Sequence, residues 1–162
     1  MIRALSSQTD LAAVTDFLAE AADYWIMAEG AAPGPTAAQD FFTDGPPGHD
    51  PAQSHHLGLF HEGRLSGLAE LSFGFPEAGD AYLGLMILAP RLRSLGLGPA
   101  LLAEVEARAR AAGSPRLYLG VLQANTRGRA FWERQGFRPT GVSRPDNDNG
   151  LNHIIHRLVK PL

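Results

Sequence analysis

The feature that most constrains the fold is the segment 83–113, in which the hydrophobic period changes once. Residues 83–88 are an unbroken apolar run, which suits a strand buried on both faces. From Leu97 the apolar residues recur at helical spacing, and Gly113 is a typical residue to end a helix. Pro99 is tolerated in the first turn, because the N–H that it lacks would have no partner there. The segment therefore predicts a strand, a tight turn and a helix.

The turn between these two elements carries two glycines, in the run Arg93-Ser94-Leu95-Gly96-Leu97-Gly98. Glycine lets a ligand approach the backbone closely, and the free N–H groups at a helix start favour an anion. The turn is therefore either a pyrophosphate site or a tightly packed strand–helix corner. Other nucleotide loops fit poorly. A dinucleotide fold requires a third glycine where Leu101 stands, and a triphosphate loop requires a lysine, whereas the only lysine is Lys160.

Two motifs in a defined order carry the functional signal. The first is Arg93-x-x-Gly96-x-Gly98 after the apolar strand. The second is Asn125-x-x-Gly128-x-x-Phe131-Trp132-x-x-x-Gly136-Phe137. Together they resemble the GCN5-related N-acetyltransferase (GNAT) superfamily, and two motifs at suitable spacing are far more specific than one. The resemblance covers roughly residues 57–137 well.

The resemblance implies an α/β fold (α+β in some schemes), with acetyl-CoA as co-substrate. The expected core is a mixed, mostly antiparallel sheet of about six to seven strands flanked by about four helices. The family pattern implies cofactor contacts at three places. They are the strand residues Met86, Ile87 and Leu88, the turn residues Arg93, Ser94, Leu95, Gly96, Leu97 and Gly98, and the helix residues Asn125, Gly128 and Phe131. Asn125 has an equally good interpretation as a helix N-cap.

The remaining pattern alternates between strands and helices around one sheet. Strands are predicted over 2–5, 56–61, 65–73, 116–122, 137–142 and 151–159. A helix capped by Ser7 or Thr9 runs towards Trp25, Thr36 caps a short helix that ends at residue 42, and Asn125 caps one that ends at Gly136. The run 146–150 predicts a turn rather than a calcium loop, because the closing glutamate is missing.

Composition bounds the class of protein. We expect 162 residues to form a single domain over 1–162, and the absence of cysteine excludes disulfides and thiolate metal sites. No long apolar run or leader pattern is present, so we expect a cytoplasmic protein without a membrane partner. The arginines are dispersed, which argues against nucleic-acid binding. A homodimer is compatible with the sequence.

Charge is divided unevenly along the chain. Up to residue 90 there are 12 acidic residues and only two basic ones, whereas from residue 91 there are 12 basic and five acidic residues. A basic second half suits a phosphate-rich cofactor, and an acidic first half suits a cationic acceptor.

Acetyl transfer to an amine requires a base for the ammonium proton and a donor for the developing oxyanion. The family commonly has tyrosine, a proton donor to the leaving sulfur, where this chain has Trp132, and indole cannot be that acid. Trp132 is interpreted as core. The departure leaves open a non-catalytic acyl-CoA-binding or regulatory module of the same fold. Glu70, in the strand beside the central one, either faces the acceptor or lies on a solvated face.

The acceptor is predicted to be a small-molecule amine or an α-amino group, bound near the end of the first helical region. Tyr24 is expected to orient it, and Glu29 to attract the ammonium and take its proton. Alternatively, these residues serve packing and solvation. The histidine spacings do not form a metal site, so no metal is expected.

Overall fold

The computed structural model describes residues 1–147 and 150–162, in which seven strands form one mixed sheet. The strands are β1 Ile2–Ala4, β2 His55–His61, β3 Arg64–Phe73, β4 Ala81–Leu88, β5 Arg116–Leu122, β6 Arg138–Asp146 and β7 His153–Pro161. Their spatial order is β1-β2-β3-β4-β5-β7-β6, and only the β4–β5 pair is parallel. The predicted fold class is therefore confirmed. The predicted turn over 146–150 includes Asp148 and Asn149, which lie outside the described residues.

Five α-helices cover the two faces of this sheet in the described chain. They are α1 Leu11–Glu20, α2 Ala22–Glu29, α3 Ala37–Thr43, α4 Leu97–Ala111 and α5 Thr126–Arg134. Helices α4 and α5 pack on one face through residues such as Leu101, Val105 and Trp132. Helices α1 to α3 cover part of the other face through Val14 and Phe41, among others. None of the described helices combines the length and apolar character needed to cross a membrane.

The start of the first helix differs from the prediction. Helix α1 begins at Leu11 with Asp10 in the N-cap position, rather than with Ser7 or Thr9 there. The Asp10 carboxylate instead holds the chain before the helix. Arg3 donates to it at 2.9 Å, and the backbone N–H of Ser6 donates at 2.8 Å. These bonds, led by the one from Arg3, lower the pKa of Asp10 to about 2.

The predicted long first helix is also divided in two. Its axis breaks at Ala21, which lies between α1 and α2. Ala21 is fully buried, whereas no residue of α2 is. The break therefore lets α1 pack closely on the sheet while α2 leaves Tyr24 and Trp25 only half-buried against the same core.

The centre of the sheet contains the irregularity that matters for function. Strands β4 and β5 pair at three positions only, which end with Leu83 opposite Leu119, although both strands continue. On its other side β4 pairs with β3 along its length, with a bulge that leaves Gly84 without an opposite residue. Beyond Leu83, one edge of β4 therefore leaves its sheet partner, and its backbone groups are available to a ligand.

A buried ion pair joins α4 to the C-terminal strand. Lys160, in β7, donates to the carboxylate of Glu106, which is buried on α4. The Lys160 ammonium also lies 6.0 Å from the centre of the Phe137 ring. Because a buried carboxylate is costly without a partner, this pair ties the helix to the sheet.

We expect Lys160→Met to lower the free energy of unfolding by about 1–3 kcal/mol, because Glu106 is left buried and unpaired. The double variant E106L/K160M should recover most of that loss. Arg129→Met, which breaks the exposed pair with Glu133, is the matched control and should cost less than about 1 kcal/mol. Urea unfolding measures all three. Equal losses in the single and double variants would show that the pair contributes nothing specific.

Candidate functional site

Two cavities meet along β4. The first, called here the groove, has a volume of about 520 Å³ and lies between β4, the turn before α4, and α5. The second, called the cleft, has a volume of about 1190 Å³ and lies between α2, α3 and the loop that follows it on one side, and β3, β4, β6 and β7 on the other. Tyr24 lines both cavities, so the groove and the cleft are adjacent and the Tyr24 side chain lies between them.

The groove brings together most of the residues predicted to contact a cofactor. Those that line it are Met86, Ile87, Leu88, Arg93, Ser94, Gly96, Gly98, Asn125, Gly128 and Phe131. Leu95 and Leu97 do not line it, and the Leu95 side chain is exposed. The end of β4, the turn that follows it and the distant start of α5 thus converge on one surface.

The turn before α4 has the geometry of an anion site. Ser94 and Gly96 both adopt left-handed backbone conformations, with φ of 68° and 79°. In the described part of the chain, their N–H groups donate to no backbone acceptor. Together with the first N–H groups of α4, they offer several donors at a helix start. Arg127 and Arg134 add positive charge to the same groove.

Arg93 supports the turn through its side chain. Its guanidinium donates to the Leu88 carbonyl at 3.1 Å and forms an ion pair with Asp23 of α2. The pKa of Asp23 is lowered, chiefly by this hydrogen bond. Arg93 therefore fixes the turn, the end of β4 and α2 relative to one another, while its charge remains beside the groove.

Asn125 forms the predicted N-cap of α5. Its side-chain oxygen accepts a hydrogen bond from the N–H of Gly128 at 2.9 Å. A Cβ at position 128 would lie 2.4 Å from the Asn125 amide nitrogen. The small residue at 128 is therefore required by the cap itself, and both residues also line the groove.

Trp132 lies in the core, as its interpretation from the sequence proposed. Its side chain is 9% exposed and packs edge-on against Phe131 and Phe137. One edge of the indole reaches the groove. Since indole nitrogen donates a hydrogen bond but does not give up its proton near neutral pH, this position supplies shape rather than acid catalysis.

The cleft contains a buried carboxyl group on β3. Glu70 is only 3% exposed, and the Ser72 hydroxyl donates to it. Ser72 in turn shares a hydrogen bond of 3.0 Å with Ser54. Burial raises the pKa of Glu70 to about 7, although these hydrogen bonds act in the opposite direction. A carboxyl group with this pKa can exchange a proton near neutral pH.

The β4 bulge makes room for this carboxyl group. A Cβ at Gly84 would lie 2.2 Å from Oε2 of Glu70, so only glycine allows the carboxylate to lie against β4 at this point. Gly84 is also the first residue of β4 beyond its pairing with β5. The carboxyl group therefore lies beside the strand segment whose backbone is open to a ligand.

Tyr24 and Glu29, the predicted catalytic residues, both line the cleft. Burial, followed by the charge of Glu29, raises the pKa of Tyr24, so its hydroxyl stays protonated near neutral pH. Glu29 lies at the exposed C-terminal end of α2.

Sequence reasoning noted Glu70 but did not select it. The signal was its place in a period-two series with Leu68 and Ser66, both buried, on the face that the first three helices cover.

The two adjacent histidines of β2 point to opposite faces, as their alternation predicted. His55 packs against Phe73, and His56 packs against Phe41 and Phe42. Among residues 1–147 and 150–162, no group of three or more histidine, aspartate and glutamate side chains is placed to hold a metal ion.

Comparison with known proteins gives one family. The model of the acetyltransferase (GNAT) family matches residues 15–137. An uncharacterized N-acetyltransferase of Mycobacterium tuberculosis is 36% identical over 82 residues, which is 51% of each chain, and one of Mycobacterium bovis matches equally. The chain therefore spans about half the length of these curated relatives.

Solved structures share the fold over the whole chain. An acetyltransferase from Thermus thermophilus has a TM-score of 0.75 at 22% identity, and the match covers 100% of this chain and 96% of that one. A ribosomal-protein-alanine N-acetyltransferase from Brucella melitensis has a TM-score of 0.77 at 21% identity, with coverage of 100% and 99%. At these identities the likeness shows the fold alone.

The raised pKa of Glu70 makes stability depend on pH. Between the ordinary pKa of 4.5 and about 7, the folded protein keeps this proton and the unfolded chain loses it. Stability therefore falls as pH rises through that window. We expect the free energy of unfolding of the wild type to fall relative to Glu70→Gln by up to roughly 3 kcal/mol between about pH 4 and pH 8. Urea unfolding across that range measures it.

Glu77→Gln, at an exposed carboxyl group, is the control for this measurement and should keep the wild-type pH dependence. A wild-type pH profile parallel to that of Glu70→Gln would contradict the assignment of the raised pKa to Glu70.

Proposed function

The chain belongs to the acetyltransferase (GNAT) family, and we propose that it transfers an acetyl group from acetyl-CoA to a primary amine of a small molecule or to an α-amino group. The observation that carries the proposal is the division of β4 between the two cavities. Residues 86–88 line the groove, whereas Tyr82, Gly84 and Leu85 line the cleft, with Glu70 beside them. One strand thus joins a cofactor surface to an acceptor surface.

The groove suits coenzyme A in shape and charge. An open strand edge at residues 86–88 offers backbone partners to the amide groups of pantetheine. The turn residues from Ser94 to Gly98, at the start of α4, offer N–H donors to the pyrophosphate, and Arg127 and Arg134 offer compensating charge. Acetyl-CoA supplies a thioester that an amine can attack. These fits support the proposal.

Glu70 is the best-placed base for the acceptor amine. Its carboxyl group lies in the cleft beside Gly84, and its pKa of about 7 suits proton transfer near neutral pH. In the proposed reaction the amine nitrogen forms a bond to the acyl carbon, and the carbon–sulfur bond breaks. Glu70 accepts the proton that the nitrogen loses, directly or through water. Glu29, nearer the cleft entrance, attracts the ammonium form of the acceptor.

Tyr24 is proposed to serve the leaving sulfur as well as to orient the acceptor. It is the side chain that lines both cavities, and its hydroxyl group carries a proton near neutral pH. The thiolate takes up one proton as the carbon–sulfur bond breaks. Because Trp132 cannot donate that proton, the Tyr24 hydroxyl group at the boundary of the two cavities takes the place of the missing proton donor.

The second candidate is a non-catalytic module that binds acyl-CoA, and the tryptophan at position 132 is the observation that favours it. The two candidates differ in one measurement. Incubation with acetyl-CoA and a panel of amines releases free thiol continuously only if the protein turns over. Binding without thiol release for any amine would favour the module.

For the cofactor, we expect acetyl-CoA at 100 times its dissociation constant to stabilise the protein by about 2.7 kcal/mol. Gly98→Glu should abolish this shift, because it places a carboxylate at the proposed phosphate site, next to Phe131. Arg127→Glu, at an exposed position, should weaken it without a packing change. Thermal denaturation with and without acetyl-CoA measures each.

Two controls match these variants. Gly79→Glu adds the same charge at an open glycine, and Arg110→Glu reverses an exposed charge on α4 outside the groove. Both should retain the full shift. A wild type that millimolar acetyl-CoA does not stabilise would refute the cofactor assignment.

For the base, we expect Glu70→Gln to lower turnover by about 10²–10⁴-fold while acetyl-CoA affinity is unchanged. The limb of the wild-type pH–rate profile with a pKa near 7 should disappear in this variant. Glu29→Gln should raise KM for the acceptor more than it lowers kcat, because its carboxylate attracts rather than deprotonates. Glu77→Gln is the exposed control. If Glu70→Gln turned over at the wild-type rate, Glu70 would not be the base.

A further inference from the structure

Two arginines line the cleft without a carboxylate partner among the described residues. In the described part of the chain, seven arginines form ion pairs, at positions 3, 64, 91, 93, 108, 116 and 129. Arg144 on β6 and Arg157 on β7 form none within residues 1–147 and 150–162, although the cleft that they line is rich in carboxylates. Two guanidinium groups facing a cavity in this way are available to an anion that enters it.

The strand register places these two arginines on one face. Arg144 lies opposite Ile155 across the β6–β7 pair, and Arg157 is two residues beyond Ile155. Residues two apart on a strand share a face, so Arg144 and Arg157 are diagonal neighbours, with Cβ atoms about 7–8 Å apart in such a pair. At that spacing both long side chains can reach one carboxylate or phosphonate group.

Arg157 is held in orientation by an aromatic stack. Its guanidinium carbon lies 5.0 Å from the centre of the Phe75 ring, and Phe75 packs edge-on against Tyr82 at 5.1 Å. Stacking restrains the guanidinium plane and leaves its edge N–H groups for an acceptor. Burial raises the pKa of Tyr82, and the charges of Arg157 and Arg144 act in the opposite direction, so their charge reaches into the cleft.

The opposite side of the same cleft carries negative charge. Glu29, Asp40 and Asp44 come from α2, α3 and the end of α3, and Glu70 of β3 adds a carboxyl group on the sheet side. The side chain of Asp40 accepts a hydrogen bond from Thr36, which fixes it at the wall. A cleft with acidic and basic sides attracts a molecule that carries both charges. A polyamine would meet repulsion from the two arginines, and a simple amine would leave them unused.

We propose that the acceptor is a small zwitterionic amine, one whose anionic group, a carboxylate or a phosphonate, binds Arg144 and Arg157 while its amino group faces Glu70. This inference rests on the proposed function and names its substrate class. Arg144 and Arg157 determine specificity, since they hold the part of the substrate that does not react.

The experiment compares matched acceptors in the thiol-release assay with acetyl-CoA. Each set contains an α-amino acid, its carboxamide, the amine lacking the carboxylate, and the aminophosphonate of the same side chain. A short peptide with a free α-amino group and a blocked C-terminus completes the panel. For the wild type we expect kcat/KM to be about 10- to 100-fold higher for the acid or the phosphonate than for the neutral analogues. The acid and phosphonate arms show which anion is preferred.

Arginine variants test whether Arg144 and Arg157 cause the preference for a zwitterionic acceptor. Arg157→Gln and Arg144→Gln should each lower kcat/KM for the zwitterion through KM, and the double variant should remove the preference. The quantity compared is the ratio of kcat/KM for the zwitterion to kcat/KM for the neutral amine. Arg138→Gln, on β6 but outside the cleft, is the matched control and should retain the preference. Acetyl-CoA stabilisation should be the same in all four proteins.

Three results overturn the inference and leave the proposed function standing. They are equal kcat/KM for zwitterionic and neutral acceptors, a preference that survives in the double variant, and faster turnover of the peptide than of every zwitterion. If acetyl-CoA stabilises the protein but none of the amines in the panel causes thiol release, that result counts instead against the proposed function. The two failures are therefore distinguishable.

Discussion

The separation of β4 from β5 is the constraint on which the site depends. A parallel pair that continued beyond Leu83 and Leu119 would close the centre of the sheet and leave β4 no free backbone groups. The bulge at Gly84 belongs to the same distortion, because it bends β4 and provides the space that the Glu70 carboxyl group occupies. The groove, the cleft and the buried carboxyl group of Glu70 thus follow from one irregularity, which Arg93 stabilises by joining the end of β4 to α2.

The basic and acidic halves of the sequence are partly separated in space in the folded protein. Arginines from the second half, Arg127 and Arg134, line the groove, and carboxylates from the first half, such as Glu29, line the cleft. The prediction of a cationic acceptor followed from this division. It did not take account of the β6–β7 strands, which return Arg144 and Arg157 to the cleft. A linear charge count cannot show which strands come back to a cavity, because that depends on strand order.

The sequence predicted the segments whose residues act locally. The strand–turn–helix segment, the Asn125 cap and the opposed histidines of β2 depend on neighbours within a few residues, and each is confirmed. The break at Ala21 was missed because the alanine-rich sequence suits a continuous helix, and packing on the sheet decides otherwise. Glu70 was not selected because its pKa depends on burial by elements that are distant in sequence.

Trp132 lines the groove, and Tyr24 lies at the boundary between the groove and the cleft. Trp132 fills the core with a larger ring than the tyrosine of the family pattern and has no proton to give. Tyr24, from a helix on the other face of the sheet, lines the boundary from the opposite side and is kept protonated by burial and nearby negative charge. Burial first, and then the charge of Glu29, which also lines the cleft, raise the pKa of Tyr24. In the proposed reaction, the carboxylate that attracts the acceptor therefore also acts on the hydroxyl group that serves the leaving sulfur, so the two roles are coupled electrostatically.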